Sequence, residues 1–145
     1  MQATRILPDL QASLLCEEVR QESNGNFFIV GVINLIRVPQ LPVTAARLCV
    51  FNRWTAGIGQ FTESVRVIAP DQTTVLRKAE MKFELRDAGL HSTNVMVFGQ
   101  LEFKTAGTYF IEVLVDDVMK VRYPVPVVVV PQPNQNPPPV EGTPA

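Results

Sequence analysis

Histidine is almost missing from this chain: His91 stands alone among 145 residues. Metal sites built on several imidazoles, and any base relayed between histidines, are thereby excluded. Cysteine is scarce as well, with only Cys16 and Cys49. Each lies inside a β-patterned run and not in a loop, which fits buried free thiols in a reducing compartment. Neither sign of charge prevails, since 13 basic residues face 14 acidic ones and no long block of one sign occurs. A surface that tracks nucleic-acid phosphates or an anionic membrane is therefore not expected. Long apolar runs are missing too: Val125 to Val130, interrupted by Pro126, falls far short of the ~20 residues that span a bilayer. The opening stretch, Met1 to Asp9, has no sustained apolar core before Pro8 and does not read as a signal peptide, so a cytoplasmic location is expected. No phosphate loop, dinucleotide fingerprint, zinc cysteine cluster or nucleophile elbow is present. Gly57-Ile58-Gly59 lies between two strand patterns with no helix after it to face an anion, and reads as a turn.

What the sequence does contain is β patterning. Strong strand signals recur at intervals of roughly ten to twelve residues, separated by Gly, Asn, Asp and Pro, and no long 3.6-period stripe competes. From Ala79 to Arg86 the odd positions are apolar and the even ones charged, which puts one face of a strand in a core and the other in water. Phe61, Val65, Val67 and Ala69 form a second one-sided stripe, and Leu48, Val50 and Trp54 a third. Phe27 to Val38 is apolar at both parities and predicts a central strand covered on two faces, with Gly31 marking a bulge or close approach. Near Glu17-Glu18 the apolar parity slips, which predicts a bulge there. Ser23-Asn24-Gly25-Asn26 predicts a hairpin into Phe27. Val95 to Phe103, Thr108 to Val115 and Val118 to Val130 predict a meander, turning at Thr105-Ala106-Gly107 and Asp116-Asp117. Pro124 and Pro126 remove two amide donors from one side of the last strand, and that side is expected to be a sheet edge. The fold expected is one all-β domain over residues 1–131, an antiparallel sandwich of about seven to nine strands. Residues 132–145 are expected to form an extended or disordered proline-rich tail.

Two resemblances add to this reading. Gly107-Thr108-Tyr109, followed by Ile111, Val113 and Val115, resembles the late strand of immunoglobulin-like sandwiches, in which a tyrosine folds back to bond upstream backbone. That resemblance implies a buried Tyr109 bonded near Phe103 to Gly107, a structural role. Leu14 to Glu22, leading through Asn24-Gly25-Asn26-Phe27 to Ile29-Val30-Gly31-Val32, resembles the opening of an uncharacterised family of small bacterial β-sandwich proteins. Gly107-Thr108-Tyr109 and Pro124-Val125-Pro126-Val127 fit the same family. It implies a bacterial source and brings no activity or catalytic residues.

Candidate chemistry is thin. His91 and Ser92 are adjacent, and neighbours on an extended segment point apart, so a nucleophile and base pair is not expected from them. Glu17-Glu18, Asp116-Asp117, Asp71 and Asp87 hold acids in strands and turns. Loop aspartates gathered at one end of a sandwich ligate calcium, yet Asp116-Asp117 is also what a tight hairpin requires. Trp54, with Phe51, Arg53 and Phe61, suggests either an aromatic platform for a sugar or base, or core packing with one edge exposed. The expected function is a non-enzymatic binding or structural module without catalytic, metal or cofactor-binding residues. The alternatives are a calcium-dependent surface binder and a small hydrolase using His91. Its partner is expected to be protein, with no nucleic acid or membrane, and the chain monomeric or a face-to-face homodimer.

Overall fold

The computed structural model describes residues 5–131. Among them nine strands form and no helix: β1 (Asp9–Gln21), β2 (Phe27–Val32), β3 (Ile36–Val38), β4 (Val43–Thr55), β5 (Gly59–Ile68), β6 (Val75–Leu85), β7 (His91–Phe103), β8 (Gly107–Val115) and β9 (Val118–Val129). They make two sheets, ordered β2-β1-β4-β7 and β3-β9-β8-β5-β6. Every pairing is antiparallel except that of β3 with β9, where Ile36 to Val38 run alongside Val127 to Val129. The expected all-β sandwich is therefore the fold observed. The tail expected over 132–145 lies outside the described residues.

Period-2 alternation builds the core. Leu48, Val50 and Trp54 of β4, Phe61, Val65 and Val67 of β5, and Ile111, Val113 and Val115 of β8 all turn inward and are buried. Their stripes meet those of Met96 and Phe98 on β7 and Val125 and Val127 on β9, and removing this apolar surface from water drives the layers together. Trp54 is fully buried and stacks on Phe83 at 5.6 Å, with Phe83 resting on Phe61 at 5.5 Å. The expectation of an exposed indole edge is corrected.

Turns follow their residue chemistry. Val115 pairs with Val118 across Asp116-Asp117, both of which have positive φ (47° and 66°). A two-residue hairpin with both central residues left-handed matches the right-handed twist of its strands, and aspartate tolerates that backbone. Gly25 (φ 92°) closes the β1–β2 hairpin, where Gln21 faces Phe27. The phenol of Tyr109 donates to the Thr105 carbonyl at 2.7 Å and the side chain is buried, so the tyrosine corner is present.

Several expectations are overturned. Phe27 to Val38 is not one central strand: it divides into β2, at the edge of one sheet, and β3, at the edge of the other, and most of β2 is exposed. Apolar residues at both parities are thus compatible with an edge. The meander is absent, because β7 pairs with β4 and the chain crosses to the other sheet before β8 and β9 form their hairpin. At Glu17-Glu18 no residue is inserted, and one register to β2 holds from Cys16 to Gln21, but the ladder is irregular there as expected. Leu15 with Ile33 and Glu22 with Asn26 are both bonded pairs, so the alternation slips once between them, where Glu17 and Gly31 (φ 70°) drop out of the pairing. Leu15, not Leu14, enters the core. The register shift lies between Leu10 and Ala12. Pro124 and Pro126 do face β8 on one side only; on the other, β3 begins at the level of Val127, immediately beyond them.

Candidate interaction surface

His91 opens β7, is exposed and lies opposite Thr55. Ser92 turns to the other side, where its hydroxyl donates to Asn94 Oδ1 at 2.9 Å. The two do not form a nucleophile and base pair. Cys16 and Cys49 face one another across β1 and β4, both buried and both free. Burial, and then the neighbouring Cys49, push the Cys16 thiol up to about 11, away from reactivity. Asp116 spends its carboxylate on the Thr62 amide (2.9 Å) and on the Arg5 guanidinium. Partial burial raises that carboxyl, but these two partners outweigh it and hold it below the usual range. Asp71 caps its own turn through the Thr73 and Thr74 amides, both at 2.8 Å. Among the described residues no group of three or more His, Cys, Asp or Glu side chains is placed to hold a metal ion.

One convergent polar cluster was not expected from the sequence. Glu63 of β5 is fully buried, and its carboxylate bridges the two sheets. Oε1 accepts from Trp54 Nε1 (2.5 Å) and Asn94 Nδ2 (2.8 Å), and Oε2 from Asn52 Nδ2 (2.7 Å). Every donor is neutral, so the carboxylate is held by hydrogen bonds without a cation. The signal was present in the stripes: Glu63 shares the parity of Phe61 and Val65, Asn52 that of Val50 and Trp54, and Asn94 that of Met96 and Phe98. Each interrupts an apolar stripe at an inward position. Sealed from solvent, the cluster ties sheet to sheet and offers no substrate access.

The outward faces differ sharply in chemistry. Directly opposed residues share a face, so the outer side of the four-stranded sheet carries Leu14, Phe51 and Val95 in one row and Val32, Cys16, Cys49 and Val97 in the next. Val97 is 56% exposed and Val32 51%. The far half of β1 and all of β2 form an arm that curls over this face, since Phe27 meets Phe51 edge-on at 6.3 Å although its strand partner Gln21 lies seven residues beyond Leu14. Between arm and sheet is a groove of about 440 Å³ lined by Gly25, Asn26, Phe27, Phe51, Arg53 and Thr93. The outer side of the five-stranded sheet is charged instead. There Glu112 lies between Arg66 (3.0 Å) and Arg122 (3.7 Å), and Lys78, Glu80, Lys82 and Glu84 follow along β6.

Residues 11–128, from within β1 to the last residue but one of β9, match the model of a family of unknown function, DUF6941. The chain belongs to that family. The DUF6941 span takes in the arm, the Glu63 cluster and both outward faces, and it agrees with the resemblance carried by Leu14 to Val32. No curated protein matches the chain. Among the described residues no helix is long and apolar enough to cross a membrane.

Proposed function

We propose that this DUF6941 chain is a non-enzymatic interaction module that meets a protein partner through the outward face of its four-stranded sheet. The observation that carries this reading is the set of exposed apolar side chains Leu14, Val32 and Val97, set around the buried Cys16 and Cys49, on a face that ordinarily carries polar side chains. Large apolar side chains left open to water on one face mark an association site. Its polar rim, Arg47, Arg53 and the Glu18–Arg20 pair, supplies orientation. Two single variants test the reading. Val97→Glu places a charge on that face without touching the core, and proteins retained by the parent in affinity capture are expected to be lost at an unchanged melting temperature. His91→Ala is expected to retain them. A hydrolytic turnover shown by the parent and abolished by His91→Ala would overturn the module in favour of an enzyme.

A further inference from the structure

We propose that the free edge of β2 is a self-association site, taken by β2 of a second copy of this chain in antiparallel two-fold pairing about Phe28. The inference goes beyond the apolar-face reading and uses a different part of the arm.

Glu22 N donates to the Asn26 carbonyl at 2.7 Å, which makes Glu22 and Asn26 a hydrogen-bonded pair. In an antiparallel ladder such pairs alternate with pairs that do not bond. Phe28, opposite Arg20, and Val30, opposite Glu18, therefore aim their amides and carbonyls at β1, while those of Phe27 and Ile29 point away from it. Among the described residues no strand lies on that side of β2 in the sheet order.

The other edges are blunted, each by a recognised device. Along β6, Lys78, Glu80, Lys82 and Glu84 carry charge. On β7 the Arg77 guanidinium donates to the Gly99 and Gln100 carbonyls, both at 3.0 Å, and Gln100 has φ 53°. Only three residues make up β3, and β9 beside it carries Pro124 and Pro126. By contrast β2 reads Phe-Phe-Ile-Val-Gly-Val, with no charge and no proline. Phe28 and Val30 are exposed on one of its faces, and Val32, beyond Gly31, is exposed as well.

A second copy fits this edge because the edge is complementary to itself. With the two-fold axis at Phe28, Phe27 of each chain bonds Ile29 of the other, and all the outward groups of Phe27 and Ile29 are satisfied. The Phe28 rings then meet as a pair at the close, non-bonded position, where aromatic side chains pack well. Closed two-fold pairing of one patch with its copy also stops at two subunits. The regular stretch ends at Gly31, whose φ is 70° and where a Cβ would stand 2.6 Å from the Glu17 carboxyl. That limits the ladder to the residues named.

Sedimentation of the purified chain from micromolar to millimolar concentration tests the proposal, with reversible dimers expected. Ile29→Pro removes an outward amide and leaves the ladder to β1 intact; it should weaken the dimer by about tenfold or more, at little cost in melting temperature. Phe28→Cys should give a disulfide-linked dimer under mild oxidation, because Cα atoms at a non-bonded pair stand about 4.5 Å apart. A chain that stays monomeric throughout overturns the proposal. So does a dimer that tolerates Ile29→Pro, or one that forms while Phe28→Cys fails to cross-link. A dimer abolished by Val97→Glu and not by Ile29→Pro would place self-association on the apolar face instead, and separates the failure of this proposal from that of the module reading.

Discussion

At one end of the interior Glu63 draws Asn52, Trp54 and Asn94 into a hydrogen-bonded knot; at the other, Leu15, Leu48, Phe98, Leu101, Phe103 and Ile111 pack around a void of only about 10 Å³. The apolar end contributes driving force, which grows with buried area and is indifferent to direction. The polar end contributes little net free energy, because desolvating a carboxylate offsets much of what its hydrogen bonds return. What it adds is direction: three donors on β4 and β7 meet two oxygens from β5 only when the sheets sit in one relative register. We read the two ends as dividing the work, with burial favouring collapse and the knot selecting which collapsed arrangement persists.

Breaking the knot should have the largest effect. Glu63→Ala strands three buried donors and leaves a hole, and is expected to cost about 3–5 kcal/mol by denaturant unfolding. A loss under about 1 kcal/mol would mean that water reaches the cluster and that the contrast between the ends is false. At the apolar end Leu48→Ala should cost about 2–4 kcal/mol, since neighbours around a tight void relax only partly. Tyr109→Phe, which removes one hydroxyl from the rim of that end, should cost on the order of 1 kcal/mol; an unchanged midpoint would show that the bond from Tyr109 to the Thr105 carbonyl does not hold the loop.

The smallest effect concerns pH. The Thr74 hydroxyl, with the Thr74 and Thr73 amides, holds Asp71 at about 2, below its ordinary value near 3.8. A depressed carboxyl stabilises the fold above its unfolded value and loses that contribution as pH falls through its folded one. Asp71→Asn should therefore flatten the fall in melting temperature between about pH 4 and pH 2 relative to the parent. Parallel curves for the two proteins would show that the Asp71 turn does not couple to unfolding.

Much of this architecture was legible because strand alternation is local: the Ala79 to Arg86 pattern became β6, Asp116-Asp117 became a left-handed hairpin, and Gly107-Thr108-Tyr109 became the corner. What was not legible depended on which strand each segment meets. Phe27 to Val38 is apolar on both sides whether it lies in mid-sheet or at an exposed edge, and nothing local separates the two. Nor does local pattern reveal that β7 pairs with β4 and not with β8. The Glu63 cluster is an intermediate case. Its three polar members each stand at an inward position of a separate stripe, but only the pairing of Asn52 with Asn94, and the packing of β4 over β5, brings them together.

The two thiols beneath the arm give this molecule its own clock. Cys16 and Cys49 are shut away between the arm and the sheet, with Cys49 Sγ 3.7 Å from the Glu17 carbonyl at the root of the bend. A soluble thiol reagent can reach them only when the arm lifts or the whole domain unfolds. When reclosing is fast, the labelling rate reports the equilibrium population of the lifted form; when it is slow, the opening rate itself. Comparing that rate with global unfolding would show whether the arm opens as a separate unit, and slower labelling at higher protein concentration would report the pairing of β2 from the inside of the fold.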